Sequence, residues 1–301
     1  MQACKKSVAE AMQRAATALR RQQSIEGLWE DYALPVGASN EWVTALVALC
    51  LAEASKALTL DDAQPAAAAA HTGLLRGRTR QAGFGFNAGV AADADSTATC
   101  LLLSLALDQV PEQADSVFLL EHVRADGGIA TFHGPAGWGL SHPCVTPVAA
   151  QALAGCGHPL SADVLAGYAA RTRSGDGFWP AYWWSGPFYA TAAWLRLNDA
   201  CGLRFAPPEQ PVEHEIKSAM DLALAVEIAA RWRTGGLSQL TSGLLAHQGR
   251  EGLWPPSRTL RVTDIAVVDS EYATGELYAD VRGLLSTAMA LRALASVLPR
   301  L

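Results

Sequence analysis

Two aspartates, Asp93 and Asp95, stand at the entry to an apolar run that continues from Thr99 to Leu105. Few charged residues lie near them in the sequence, so little is available to neutralise two carboxylates. Aspartate is favoured at helix N-termini, and capping alone explains such a position. A carboxyl group beside another carboxylate in apolar surroundings also tends to keep its proton. The pair is therefore either a helix cap or a proton-donating acid supported by an ionised partner.

Aromatic residues are the second feature with chemical potential. Nine tryptophans are many for this length, and Trp29, Trp179 and Trp254 belong to glycine-containing turns that favour a packing role. Desolvated aromatic faces stabilise a cation by about 0.5 to 2 kcal/mol each. Core packing is the alternative for any one of them. The better candidates for a binding cavity are Trp42, Trp138, Trp183, Trp184 and Tyr189.

Two further groups of residues could serve the same site. Asp280 precedes the last apolar helix, where it either caps the helix or acts as a second carboxylate that polarises water or deprotonates a cation. His133 and His142 are most simply loop or core histidines, and a functional role is the alternative for each. No CxxC pair and no HExxH motif occurs, so no metal site and no cofactor are predicted.

Internal repetition predicts the elements that position these residues. Thr44, Thr97, Thr146 and Thr191 recur at intervals of 45 to 53 residues, each after a Gly-rich turn, and Thr287 follows 96 residues later. The double interval predicts a hidden unit, for which the helix Ser218 to Ile228 is the best candidate. Alanine- and leucine-rich runs favour helix, and strand signals are absent. A repeated unit must bury its apolar face against its neighbours.

These repeats predict an all-α fold, an α/α (α6/α6) toroid barrel of helical hairpins that forms one domain over residues 1–301. Its inner helices run parallel, so their N-termini meet at one end of a central cavity. Residues before each threonine would line that mouth: Trp42, Asp95, Cys144, Tyr189 and Asp280. The irregular stretch from Arg258 to Ala279 is expected to form a lid or a substrate entrance.

Composition excludes several classes of protein. The chain has 301 residues and a net charge of −6, which argues against binding nucleic acid. Its six cysteines lie far apart in apolar segments, which is typical of a reduced cytoplasmic protein. The N-terminus lacks the apolar region of a secretory signal, and no run is long enough to span a membrane. Peripheral membrane contact stays open because the chain is rich in apolar residues.

With its repeats and its acid pair, the chain resembles the squalene-hopene cyclase and class II terpene cyclase superfamily. The repeated turns Gln23–Trp29, Ser174–Trp179 and Gln248–Trp254 are similar to that family's Gln-x-x-x-Gly-x-Trp turns. Asp93-Ala94-Asp95-Ser96-Thr97-Ala98 looks like its Asp-x-Asp-Asp-Thr-Ala acid motif. The resemblance implies that Asp95 donates the proton that starts polyene cyclisation, with Asp93 as its neighbour. It also places Trp183 at the position of a cavity tryptophan and Tyr189 near it.

The chain also departs from that pattern. It has room for one barrel, and so looks like the monodomain class II cyclases, some of which act on meroterpenoids. Ser96 replaces the motif's last aspartate, and Val148 replaces a histidine that supports the acid in hopene cyclases. His142 lies near enough in the sequence to substitute for it.

The resulting hypothesis is a class II cyclase that protonates an alkene or epoxide of a linear polyprenyl or prenylated aromatic substrate. A protein prenyltransferase β-like subunit would need an α partner and zinc ligands, and a non-catalytic lipid-binding barrel would not need Asp95. Magnesium-dependent ionisation of a diphosphate needs aspartate-rich clusters on helices. Asp61-Asp62 is the only close pair, and the residues that follow it do not continue such a motif, so this chemistry is disfavoured. Three arginines are alternative diphosphate ligands or ordinary helix C-terminal cations: Arg76, Arg78 and Arg80.

Overall fold

The computed structural model describes residues 2–134, 136–208 and 214–300 of the chain. Its helices are α1 (Gln2–Arg21), α2 (Trp42–Ala57), α3 (Ala63–Gly77), α4 (Ala94–Ala106), α5 (Gln113–Glu121), α6 (Thr146–Gly155), α7 (Ala162–Thr172), α8 (Phe188–Cys201), α9 (Ala219–Trp232), α10 (Leu237–Ala246) and α11 (Leu284–Val297). Its strands are β1 (Asp31–Leu34), β2 (Gly37–Ser39), β3 (Arg258–Thr263) and β4 (Gly275–Ala279).

Six of the helices form a closed inner ring. In chain order α2, α4, α6, α8, α9 and α11 each contact the next, and α11 returns to contact α2. The other helices form an outer layer, and α1, α3, α5, α7 and α10 precede the inner helices α2, α4, α6, α8 and α11, respectively, along the chain. The predicted α/α barrel is therefore confirmed.

The inner helices are apolar on nearly every side because they are surrounded by other helices. Twelve of the residues of α2 are buried, including all of Trp42 to Ala52. This helix has 16 residues, which corresponds to about 24 Å and falls short of a bilayer core. No helix in the described ranges is long and apolar enough to cross a membrane.

The repeated threonines have a common structural role, which we call the threonine latch. The hydroxyl of each accepts a hydrogen bond from a backbone N–H in the turn that precedes its helix, at distances of 2.8 to 3.0 Å. The five pairs are Thr44 with Trp29, Thr97 with Phe84, Thr146 with Ile129, Thr191 with Trp179, and Thr287 with Trp254. Each latch ties an inner helix to the end of its outer partner.

The glycine of the turn lets the backbone pack closely against the next outer helix, α3. Gly27 adopts φ +89°, and a Cβ atom there would lie 2.4 Å from the carbonyl oxygen of Ala69. The Trp29 indole then donates to the Leu19 carbonyl at 2.8 Å, back on the outer helix. Trp254 repeats this bond with Leu244. The glycine-tryptophan turns are thus structural, as the repeats predict.

The hidden sixth repeat is α9. Its N-cap is Ser218, whose side chain accepts from the backbone N–H of Asp221 at 3.1 Å. In the described residues between α8 and α9 no helix precedes it. The prediction of a degraded outer partner in this repeat is confirmed over those residues.

The expectation that strands are absent was wrong. Two antiparallel hairpins, β1–β2 and β3–β4, lie at the end of the barrel where the inner helices begin. The second spans Arg258–Ala279, the stretch that the sequence indicated as irregular. Its strand β3 is also bonded at its outer edge, since Ser185 N donates to Thr259 O and Arg261 N to Trp183 O. Strand β3 is therefore held by backbone hydrogen bonds on both of its edges, and it anchors the hairpin as a wall of the cavity.

Candidate active site

The first aspartate of the motif is a helix cap. Asp93 has an extended backbone at the N-cap of α4, and its side chain accepts from the Ser96 backbone N–H at 2.8 Å. The Ser96 hydroxyl donates to the same carboxylate at 2.7 Å. Ser96, which replaces an aspartate of the family motif, thus stabilises the charge of Asp93. The helix-cap interpretation therefore applies to Asp93, and the acid interpretation concerns Asp95.

The second aspartate faces a cavity. Asp95 lies in the first turn of α4, and its Oδ2 accepts from the indole Nε1 of Trp42 at 3.2 Å. Its other oxygen, Oδ1, is buried and has no hydrogen-bond partner in the described chain. A buried oxygen without a donor disfavours the anion, since nothing replaces its lost hydration. The geometry favours a protonated carboxyl whose proton can be transferred to a bound molecule.

The electrostatics of the pair favour the same assignment. Burial is the largest cause that raises the pKa of Asp95 to about 7, and the charge of Asp93 raises it further. The Trp42 hydrogen bond and Arg196 lower it. Burial also raises the pKa of Asp93 to about 6, against the lowering effect of Ser96. Asp95 therefore holds its proton in preference to Asp93, which is the better solvated by hydrogen bonds.

The cavity has a volume of about 340 Å³ and is almost entirely apolar. It opens at the N-terminal end of the inner helices, between α2, α4 and the two hairpins. Asp93, Asp95 and Ser96 form a polar side of the cavity, with both aspartate carboxyls. The other lining residues are Leu34, Pro35, Val36, Trp42, Phe86, Val90, Thr131, Phe132, Trp138, Trp183, Trp184, Leu260, Arg261, Val262 and Tyr278.

Its aromatic side chains form two groups. Around Asp95, the ring of Trp42 lies 6.2 Å from Phe86 and 6.0 Å from Trp184, between centroids. In the second group, Trp138 lies 5.4 Å from Trp183 and 5.6 Å from Phe132. Such faces attract positive charge without reacting with it. The cavity therefore combines one acid with aromatic surfaces suited to a cation.

His142 supports the second group from behind the cavity wall. It is buried, stacks on Tyr182 at 4.0 Å, and shares a 2.8 Å hydrogen bond with the hydroxyl of Thr131. The Trp183 indole donates to the same hydroxyl at 2.7 Å. Burial lowers the pKa of His142 to about 4, so this histidine is neutral. His142 thus positions Trp183 through Thr131, and it makes no hydrogen bond to Asp95.

Tyr189 also lies behind the wall. Its ring stacks on Trp184 with 4.2 Å between centroids, and it belongs to the barrel interior beneath the cavity. Val148, which replaces the family's histidine, lies in the same interior region. Cys144 is buried, and it is not among the residues that line the cavity.

Asp280 is held in the turn before α11. Its Oδ1 accepts from Ser257 N and its Oδ2 from Ser286 N, both at 2.6 Å. The side chain is fully buried, and the cavity lining does not include it. Burial raises the pKa of Asp280 to about 7, with a further contribution from Asp31. The structure thus joins Asp280 to the framework of the last repeat and does not bring it to the mouth.

Several residues considered above as diphosphate or metal ligands, or as functional histidines, contact other residues of the chain outside the cavity. Arg78 forms an ion pair with Asp115, and Arg80 forms one with Glu41 at 2.7 Å. Asp62 accepts from the hydroxyl of Thr17 at 2.6 Å. His133 lies against His122, with 3.9 Å between ring centroids, outside the cavity. Within the described ranges, no three acidic, histidine or cysteine side chains converge in a way that would hold a metal ion.

Sequence reasoning missed the residues that the hairpins contribute. Leu34 and Val36 come from the first hairpin, and Leu260, Arg261, Val262 and Tyr278 from the second. The alternation of Thr259 to Thr263, rich in β-branched residues, is a usable strand signal. Phe86 and Phe132 were also missed, although each follows a recognised turn and precedes a recognised inner helix.

Comparisons with known proteins find likeness in structure alone. No family model matches the chain, and no curated relative does. The type II terpene cyclase MstE from Scytonema superposes with a TM-score of 0.83 at 22% identity, over 99% of each chain. A structure of an MstE variant in complex with geranylgeranyl dihydroxybenzoate gives 0.84 at 21%, over 100% of each. A protein from Actinoplanes gives 0.79 at 25%, over 96% of this chain and 99% of that one. The chain thus has the fold of the type II terpene cyclase MstE.

Proposed function

We propose that the chain is a class II terpene cyclase that acts on a linear polyprenyl or prenylated aromatic substrate. The observation that carries this proposal is the carboxyl of Asp95, which has one buried oxygen without a partner in the described chain and lies in a mainly apolar cavity rich in aromatic side chains. The likeness in fold to MstE supports it, since geranylgeranyl dihydroxybenzoate is named as the substrate of that enzyme.

The first step is protonation of an alkene. The Asp95 O–H bond breaks, and the π electrons of the terminal double bond form the new C–H bond, which leaves a carbocation and the Asp95 carboxylate. An epoxide would accept the proton on its oxygen instead. Protonation of carbon needs a strong acid in a site that excludes water. Burial and the charge of Asp93 raise the pKa of Asp95, so the carboxyl keeps its proton in the free protein. That proton is the one transferred to the substrate.

Ring closure follows without further protein chemistry. The π electrons of the next double bond attack the cation and form a C–C bond, so that the charge moves along the folded chain. The rings of Trp42, Trp184, Trp138 and Trp183 line this path and stabilise each cation by about 0.5 to 2 kcal/mol. Loss of a proton, or capture of water, ends the cascade. With proton loss the product is an isomer of the substrate.

The deciding experiment is a product assay with the purified protein. Geranylgeranyl diphosphate and geranylgeranyl dihydroxybenzoate are incubated separately, with EDTA present, and extracts are analysed by mass spectrometry and NMR. A cyclised product is expected, with unchanged mass after proton loss or with the added mass of one water after water capture, and Asp95→Asn should abolish it while helical circular dichroism is retained. Product formation that survives Asp95→Asn, or that requires added metal, would contradict the proposal. Tight binding of both compounds without turnover would indicate a lipid-binding barrel instead.

We also propose that the substrate reaches the cavity from a membrane surface. Val36, which lines the cavity, is 58% exposed, and Val268 and Tyr272 between β3 and β4 are 66% and 72% exposed. Exposed apolar side chains on the two hairpins that wall the cavity are typical of a surface that contacts a membrane or another protein. Sedimentation with phosphatidylcholine vesicles tests this. Binding should weaken in the double variant Val268→Ser and Tyr272→Ser, and an unchanged bound fraction would contradict it.

A further inference from the structure

Among the described residues that line the cavity, one carries a positive charge, and that is the guanidinium of Arg261. Arg261 lies on β3, where its neighbours Leu260 and Val262 also line the cavity. The residue is 8% exposed. A charged side chain buried to this degree in an apolar cavity is expensive unless an opposite charge accompanies it.

No carboxylate of the described chain accompanies Arg261. Its guanidinium donates to the backbone carbonyls of Trp184 and Ala273, and its backbone N–H donates to Trp183 O. Carbonyl oxygens orient the side chain and leave its charge uncompensated. Burial accordingly lowers the pKa of Arg261.

The other two arginines that are buried to this degree are different. Arg196, 8% exposed, pairs with Glu227 at 2.8 Å. Arg292, 5% exposed, pairs with Glu53 at 2.7 Å. Both lie deeper in the barrel, among the inner helices. The unpaired guanidinium is thus confined to the cavity, where a bound molecule can supply the missing charge.

We propose that Arg261 binds an anionic head group of the substrate, a carboxylate or a phosphate, and so selects prenyl acids over neutral prenyl alcohols. This inference rests on the proposed cyclase function for the identity of the site, and it adds the polar end of the substrate. A planar guanidinium with several donors matches either anion, which can be bound through two parallel hydrogen bonds.

The arrangement of the cavity wall gives the substrate a direction. Trp42 donates to Asp95, its ring lies 6.0 Å from Trp184, and the Trp184 carbonyl accepts from Arg261. Trp42 and Trp184 therefore connect the acid to the guanidinium along this wall. A substrate whose anionic head group lies at Arg261 places its hydrocarbon end near Asp95. Asp95 then protonates a double bond far from the head group.

The head group also protects the reaction from Arg261 itself. A carbocation that advances from Asp95 along the wall moves toward the guanidinium. An unpaired positive charge there would oppose that movement, whereas an ion pair at Arg261 has no net charge. The anion is thus expected to contribute to turnover as well as to binding.

The test compares three ligands with one saturated, branched twenty-carbon chain, none of which can be cyclised: phytanic acid, phytanol and phytanyl phosphate. Their affinities for the native protein are measured at pH 7 by quenching of tryptophan fluorescence. We expect the acid, the phosphate or both to bind at least about tenfold more tightly than the alcohol. Whichever anion binds more tightly identifies the head group.

Two variants locate this preference. Arg261→Gln should remove the difference between anion and alcohol and leave phytanol binding within about threefold of the native protein, whereas Arg261→Lys, which keeps the charge, should retain part of it. Equal affinities for all three ligands in the native protein would overturn the proposal, and so would a loss in Arg261→Gln that is the same for anion and alcohol. The comparison in the native protein stands by itself if Arg261→Gln does not fold. Because no ligand is turned over, a failure of cyclisation leaves this result unaffected.

Discussion

Two aspartates of this barrel lie at the N-terminal ends of inner helices of similar sequence, Asp95 in the first turn of α4 and Asp280 ahead of α11, and burial raises the pKa of each carboxyl to about 7. Their oxygens differ. Both oxygens of Asp280 accept short hydrogen bonds from backbone N–H groups, whereas Asp95 has one oxygen bonded to Trp42 and one without a partner. Asp95 also lines the cavity, and Asp280 does not. A raised pKa alone therefore does not identify a catalytic acid, and access to an unbonded oxygen is what separates the two.

The largest expected effect of this difference is on activity. Asp95→Asn removes the transferable proton and should lower kcat/KM by about 10³-fold or more, within the range known for general acids. Asp280→Asn should retain kcat within about threefold, because Asp280 does not contact the cavity. Steady-state cyclisation assays measure both. Equal losses in the two variants would mean that the cavity does not distinguish these acids.

For stability the order should be reversed, so that Asp280→Asn lowers the free energy of unfolding more than Asp95→Asn does. At pH 6 both carboxyls are largely protonated, and the amide of Asp280→Asn turns an NH₂ group toward Ser257 N–H or Ser286 N–H. One buried donor is then unpaired, which costs roughly 1 to 3 kcal/mol in the free energy of unfolding. Asp95→Asn loses no comparable bond and should stay within about 0.5 kcal/mol of the native protein. Urea unfolding followed by circular dichroism compares the three proteins.

The pH dependence of activity gives a third test. The active form of Asp95 carries a proton and its pKa is about 7, so kcat/KM should be constant below that pH and fall about tenfold per pH unit above it. The sign follows from the raised pKa, since an ordinary aspartate would be ionised throughout this range. A profile that rises between pH 7 and 9 would exclude Asp95 as the acid. The profile of Asp280→Asn should match that of the native protein.

The smallest effect concerns the hydrogen bond to Asp95. Trp42→Phe keeps an aromatic face and removes the donor at Oδ2, a hydrogen bond that lowers the pKa of Asp95. The alkaline limb should therefore move to higher pH, with a loss in kcat/KM below about tenfold. Trp184→Phe is the matched control, because Trp184 makes no hydrogen bond to Asp95. If the alkaline limb of the pH profile moves in both variants, the shift comes from altered packing and not from the lost hydrogen bond.

Much of the framework could be predicted because its contacts are local and repeated. Thr44, Thr97, Thr146, Thr191 and Thr287 mark the inner helices, since each latch requires a hydroxyl at the same position in its unit. The turns require glycine because the backbone of a neighbouring helix lies too close for a Cβ atom, as at Gly27. Asp93 as a cap and Asp95 in the cavity both follow from one motif, although their roles as cap and acid needed the hydrogen bonds to separate them.

The cavity beyond Asp95 and its tryptophans was less predictable. Arg261 owes its position to a strand that pairs with residues near Trp183, about 80 positions earlier in the chain, and no local pattern encodes that pairing. Asp280, which follows β4, accepts a hydrogen bond from Ser257, which precedes β3 and is 23 residues earlier in the chain. His142 and Tyr189 lie one layer behind the surface, and their distance from the lining depends on side-chain stacking.

The threonine latches make this barrel modular. They close chain segments whose ends are 12, 13, 15, 17 and 33 residues apart, with nearly the same bond length. The shortest and the longest segments therefore impose the same geometry on the helix that follows. Segments that shape the cavity are thus exchangeable without rebuilding the ring, and grafting a different hairpin between Trp254 and Thr287 is a direct route to altered product selectivity.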